Sequence, residues 1–182
     1  MSQSDERVTL TRDVVGVLIP AGTHVELPEG VEAVITQALG GSYTVLVEGH
    51  LFRIPAEDAD ALGKQAAAKV KLPEHATDED VEKAVYAQLM TCYDPEIPIN
   101  IVDLGLVYES SIELQPDGTR HVKIVMTLTA PGCGMGDILV NDVKEKVGHL
   151  PGISQIDVEM TFDPPWRMDM MSEEARLQSG LM

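Results

Sequence analysis

Around Ala56 the spacing of apolar residues changes, and no single kind of regular element can serve both spacings. Upstream, short β-branched runs recur: Val14, Val15, Val17 and Ile19, then His24 to Leu27, Glu32 to Gln37, Tyr43 to Val47 and Leu51 to Ile54. Pro20-Ala21-Gly22, Pro28-Glu29-Gly30, Gly40-Gly41 and Glu48-Gly49-His50 separate them, and such short punctuators suit hairpins. The pattern predicts an SH3-like, five-stranded β module over residues 1–56.

Downstream, Ala56 to Lys71 is rich in Ala, Asp, Lys and Gln and poor in β-branched residues, so residues 57–73 read as a helical or loosely ordered linker closed by Pro73. Thr77 is a good N-cap with acidic residues in the following turn. Val81, Ala84, Val85 and Leu89 then recur at helical spacing, which predicts a helix over about 78–91. The loop from Cys92 to Gly105 holds Pro95 and Pro98, which forbid regular helix. Tyr108, Ser110, Ile112 and Leu114 alternate with Glu109, Ser111 and Glu113. Gln115-Pro116-Asp117-Gly118 turns the chain, and Val122, Ile124, Met126 and Leu128 return it as the second arm of an antiparallel hairpin. A helix opening at Asp137, striped by Leu139, Val143, Val147 and Leu150, leads to a strand around Ile156, Val158 and Met160. Strand, helix and strand in that order make a parallel, right-handed crossover. The expected class is α+β: a small β module, then a two-layer α/β domain over 74–162, with a C-terminal tail over 163–182. Trp166 is expected to anchor that tail, which turns helical from Ser172.

At 182 residues the chain is long enough for one domain or two small ones. A formal charge of −17 opposes binding to phosphate backbones and anionic lipid, so neither nucleic acid nor membrane is an expected partner. No basic start leads into an apolar run, and no apolar stretch approaches the roughly 18 residues of a membrane span. The expected location is cytoplasmic, where Cys92 and Cys133 remain thiols.

Cys133 sits between Gly132 and Gly134 at the expected start of a helix. Free backbone N–H groups and the positive end of the helix dipole there favour a thiolate, and glycines let backbone and ligand approach the sulfur. A small buried hydrophobe is the alternative for any free cysteine. Cys92 closes an apolar stripe and reads as packing. No CxxC pair is present, and two thiols cannot supply the four ligands of an ordinary cluster, so no built-in zinc or stable cluster site is expected. Asp94, Glu96 and Asp103 put carboxylates in the proline-stiffened loop. They are suited to orient Cys133 or ligate metal, and equally suited to form turns and cap backbone N–H groups. The five histidines show no ligand spacing, and Met168, Met170 and Met171 continue no soft-metal pattern.

Four motifs in order carry a resemblance: Asp94-Pro95-Glu96-Ile97-Pro98, Val102-Asp103-Leu104-Gly105-Leu106-Val107, Leu128-Thr129-Ala130-Pro131-Gly132-Cys133-Gly134-Met135 and Phe162-Asp163-Pro164-Pro165-Trp166. Together they resemble the iron-sulfur assembly domain shared by SufT and PaaD proteins, over about residues 74–178. The N-terminal β module and the ending around Asp169 to Ala175 resemble SufT more closely, and the further cysteine cluster usual at the end of PaaD-like proteins is absent. The resemblance implies a maturation factor that is not itself an enzyme. It implies Cys133 as the functional thiol and transient cluster ligand, and Asp94 as its acidic partner. Glu96, Asp103, Thr129, Gly132 and Gly134 stand in support. Gly134 occupies a position where the family often has proline. Implied partners are iron-sulfur assembly proteins and apoprotein acceptors, with a homodimer as one way to complete a cluster's ligands. The two other readings are an adaptor that recruits apoproteins without touching metal, and a PaaD-like subunit of a multicomponent oxygenase system.

Overall fold

Short strands broken by turn residues build the first of two units into which the chain divides, Met1–Lys69 and Val70–Met182. The computed structural model describes residues 5–39, 42–66, 70–94, 97–131 and 136–180.

The first unit is a six-stranded antiparallel sheet of β1 (Glu6–Thr9), β2 (Val14–Ile19), β3 (His24–Leu27), β4 (Glu32–Leu39), β5 (Ser42–Val47) and β6 (His50–Ile54), in the order β1-β4-β5-β6-β2-β3. Five of these match the runs read from the sequence. β1 was not among them, because a four-residue segment with one apolar side chain carries no periodic signal. Its register against β4, Glu6 opposite Ile35 through Thr9 opposite Glu32, comes from tertiary pairing. Alternate residues of β4, β5 and β6 turn inward, burying Ala33, Ile35, Val45, Val47, Phe52 and Ile54 with Leu10, Val14 and Leu27. Gly16 on β2 lies where a Cβ would stand 3.1 Å from both Leu27 Cδ1 and Phe52 Cβ, so only glycine fits unchanged.

The start of the expected linker is instead part of this unit. Ala56–Leu62 forms a 3-10 helix with Ala59, Ala61 and Leu62 buried, closed by Gly63 at φ 71°. Small side chains allow this close approach to the sheet. The Thr11 N–H donates to the Ala61 carbonyl at 2.9 Å, and the Arg12 guanidinium donates to Asp58 and Asp60 at 2.8 and 2.7 Å. Those charge-assisted bonds hold the Asp60 carboxyl below its ordinary range and raise the Arg12 pKa further.

The second unit runs α1 (Asp78–Leu89), β7 (Val107–Leu114), β8 (Arg120–Met126), α2 (Gly136–Gly148), β9 (Ile153–Met160) and α3 (Glu173–Ser179). Thr77 caps α1 through a reciprocal box: its hydroxyl accepts from the Asp80 N–H at 3.2 Å, and the Asp80 carboxylate accepts from the Thr77 N–H at 2.9 Å. The sheet order is β7-β8-β9, with β7 antiparallel and β9 parallel to the central β8. Register sets its two faces apart. Val122, Ile124 and Met126 of β8 are buried in one core with Ile112, Ile156 and Val158, into which α1 sends Val81, Val85 and Leu89 and α2 sends Leu139, Val143 and Val147. Burying each such Leu, Ile or Val contributes about 1.5–3 kcal/mol. The other face carries Glu109, Ser111, Lys123, Asp157 and Glu159, with Lys123 paired to Glu159 at 3.3 Å and His121 to Asp157 at 2.6 Å.

Residues beyond β9 belong to this unit's body. Trp166 packs against the core, Met171 and Ala175 are buried within it, and Ser172 caps α3 through its hydroxyl. The Trp166 anchor and helix α3 match the sequence reading, and the rest of the tail is ordered by contacts distant in sequence.

Candidate functional site

Strand directions gather three connecting segments at one end of the second sheet. With β7 antiparallel and β9 parallel to β8, the start of β7 lies beside the ends of β8 and β9. The chain enters β7 there from Leu106, leaves β8 there at Thr127 and leaves β9 there at Thr161. The Thr127 N–H donates to the Leu106 carbonyl at 2.8 Å and the Thr161 N–H to the Met126 carbonyl at 2.9 Å, so the three segments begin hydrogen-bonded to one another.

The entering segment is built by local side-chain caps. Asp94, only 4% exposed, accepts the Ile97 N–H on Oδ1 at 2.9 Å while its own N–H donates to the Ile99 carbonyl at 3.2 Å, and Tyr93 bridges Asn100. A carboxylate receiving a backbone N–H closes an Asx-type turn, a conformation the following proline favours. Asn100 and Asp103 close the next turn reciprocally: the Asn100 amide donates to Asp103 Oδ2 at 2.6 Å, and the Asp103 N–H donates to Asn100 Oδ1 at 2.9 Å. Ile101, Leu104 and Leu106 of the same segment are fully buried.

Gly105 (φ 74°) lets the chain turn where any side chain would collide with the Met170 carbonyl. The segment after β9 lies over the loop at this point. The Trp166 indole N–H donates to the Leu104 carbonyl at 2.7 Å, the Ser172 N–H to the Asp103 carbonyl at 2.8 Å, and the Tyr108 hydroxyl to the Pro164 carbonyl at 2.7 Å.

Of the residues expected at a site, Asp94 is buried and Asp103 half-buried, and the two carboxylates engage different turns. Thr129 is half-buried just past the end of β8. Glu96, Gly132, Cys133 and Gly134 lie outside the described residues. Cys92 is fully buried and its thiol donates to the Gln88 carbonyl at 3.6 Å, a packing role. Among the described residues no three His, Cys, Asp or Glu side chains gather as a metal site. Two polar residues near the site went unread in the sequence. Asn100 stands three residues before Asp103, a spacing that signals a reciprocal cap. Thr127 is fully buried, and its hydroxyl has no hydrogen-bond partner among the described residues.

Known proteins align with the part of the chain that carries this end of the sheet. A family profile described as an iron-sulfur cluster assembly protein matches residues 82–160. An Fe-S protein maturation auxiliary factor of Porphyromonas gingivalis is 43% identical over 106 residues, 58% of this chain and 93% of that protein. The auxiliary factor YitW of Bacillus subtilis is 36% identical over 57% of this chain and 98% of its own length, and SufT of Staphylococcus aureus is 39% identical over 48% and 96%. Because nearly the whole length of each relative is matched at such identities, the chain belongs to the SufT-like family of iron-sulfur cluster assembly proteins.

Proposed function

We propose that this protein is an accessory factor in iron-sulfur cluster assembly or in delivery of clusters to apoproteins, working through the Cys133 thiol with Asp94 as its acidic partner. The carrying observation is that maturation auxiliary factors from three bacteria are matched over 93%, 98% and 96% of their lengths. The cluster is cargo. One working thiol per chain cannot complete its usual four ligands, so a second subunit, a partner protein or an exogenous thiol supplies the remainder during a transient encounter. Asp94 is buried and already shapes its turn through Ile97, which favours an orienting role over direct ligation. Its maturation role involves no turnover of a metabolite. Partners are then the assembly machinery and apoprotein acceptors in a reducing cytoplasm. We read the β unit as SH3-like from its short antiparallel strands.

The test is complementation in cells lacking the protein, reading the activity of a cluster-dependent enzyme. Cys133→Ser should fold normally and give no rescue, because a hard hydroxyl is a poor iron ligand. Asp94→Asn keeps an oxygen for the Ile97 N–H and should rescue in part. Full rescue by Cys133→Ser would sink the carrier reading and support an adaptor that needs only its surface.

A further inference from the structure

We propose that Lys146 and Asp142 form a positioning device that sets the Asp94 segment against α2, the helix whose first residue follows Cys133 by three positions. The inference rests on the Cys133 reading above. On α2 the two side chains lie one turn apart, with Lys146 Nζ 3.4 Å from Asp142 Oδ2 and the side chains only 15% and 10% exposed. The same ammonium donates to the Thr91 carbonyl at 2.6 Å, just beyond the C-terminal end of α1. A cation there complements the negative end of the α1 dipole.

From Thr91 the chain has little freedom before Asp94. The Cys92 N–H donates to the Leu89 carbonyl at 3.0 Å, the Cys92 carbonyl accepts from Ile101 at 2.9 Å, and the Asp94 N–H is bonded to Ile99. Fixing Thr91 on α2 therefore fixes where Asp94 lies relative to that helix, and the helix is a rod whose other end connects to the Cys133 loop. Surface ion pairs contribute little, and replacing a buried pair by apolar residues is often neutral for stability. Holding a near-buried ammonium on a backbone carbonyl thus makes better sense as placement than as a source of stability. Lys146 is ten residues past Gly136, about 15 Å along the rod. Over that length the pair touches Cys133 only through the placement of the helix.

The experiment compares the full-length protein with the paired variant Lys146→Met/Asp142→Leu and with Lys146→Arg, which keeps a donor cation. Melting is followed by circular dichroism, amide exchange at Cys92 and Asp94 by NMR, and Cys133 alkylation against pH by mass spectrometry. The paired variant should melt within about 3 °C of the parent. Its Cys92 and Asp94 amides should exchange about tenfold faster. Its Cys133 alkylation midpoint should move by about half a pH unit or more, with Lys146→Arg close to the parent in all three. Unchanged exchange or an unchanged midpoint in the paired variant would overturn the proposal. Loss of folding would overturn it equally, by making the pair a stability strut. None of these readouts uses cluster delivery, so failure here is distinct from full rescue by Cys133→Ser.

Discussion

The indole N–H of Trp166 reaches across 62 residues of sequence to the Leu104 carbonyl at 2.7 Å, tying the segment after β9 to the loop that carries Asp94 and Asp103. Trp166→Phe keeps most of the packing and removes this donor. A carbonyl left without its partner in a half-buried setting should lower the stability of the second unit by about 1–2 kcal/mol in urea denaturation followed by circular dichroism. An unchanged midpoint would show that water replaces the indole at no cost.

Gly105 and Gly118 make a matched pair, both at positive φ, 74° and 85°. Alanine at Gly118 meets nothing within 4 Å and should cost only the backbone conformation, about 1 kcal/mol. Alanine at Gly105 must also displace the Met170 backbone, and an additional 1–3 kcal/mol or so is expected from that overlap. Equal losses from the two substitutions would mean that the Met170 segment yields freely.

The Asp80 carboxyl is held below its ordinary value by the Thr77 N–H and then by the Thr77 hydroxyl. A group whose folded pKa is depressed contributes stability above its unfolded pKa, about 3.9 for Asp, and the contribution disappears as pH falls through the folded value. Melting temperatures of Asp80→Asn and the parent should therefore converge as pH is lowered from 6 toward 2.5. A gap that stays constant over that range would remove the carboxylate from the account.

Cys92 and Cys133 should differ sharply towards an alkylating reagent. Cys92 is fully buried and should stay protected until the protein unfolds. Cys133, flanked by glycines ahead of α2, should titrate below the roughly 8.5 of an unperturbed thiol and react fast at neutral pH. Equal rates in the native protein would defeat the thiolate reading.

The elements legible in the sequence are those whose signal is local. Val81, Val85 and Leu89 mark α1 by their spacing, Thr77 marks its start by cap chemistry, and Asp117-Gly118 marks the hairpin turn. β1 was illegible because Val8 alone cannot announce a strand that exists only in register with β4. Composition leaves Ala56–Leu62 open to helix, but its packing on the β unit is not legible because small residues carry little periodic signal, although smallness is what lets it approach the sheet. At the site, the motif named Asp94 and Asp103 as candidates, but their separate turns could be told apart only once Ile97 and Asn100 were seen as partners. Thr127, Lys146 and Asp142 stood among ordinary strand and helix residues, and what sets them apart is burial and a contact or its absence.

Because the chain enters β7 and leaves β8 and β9 at one end of the second sheet, the turn over 115–118 at the opposite end is the natural attachment point for a reporter. Asp117 and Gly118 are exposed, and no Cβ contact constrains Gly118. A fluorophore coupled there would sit a full strand length, about 20 Å or more, from the Cys133 end of the sheet. It would leave the end of the sheet where β7 begins unlabelled.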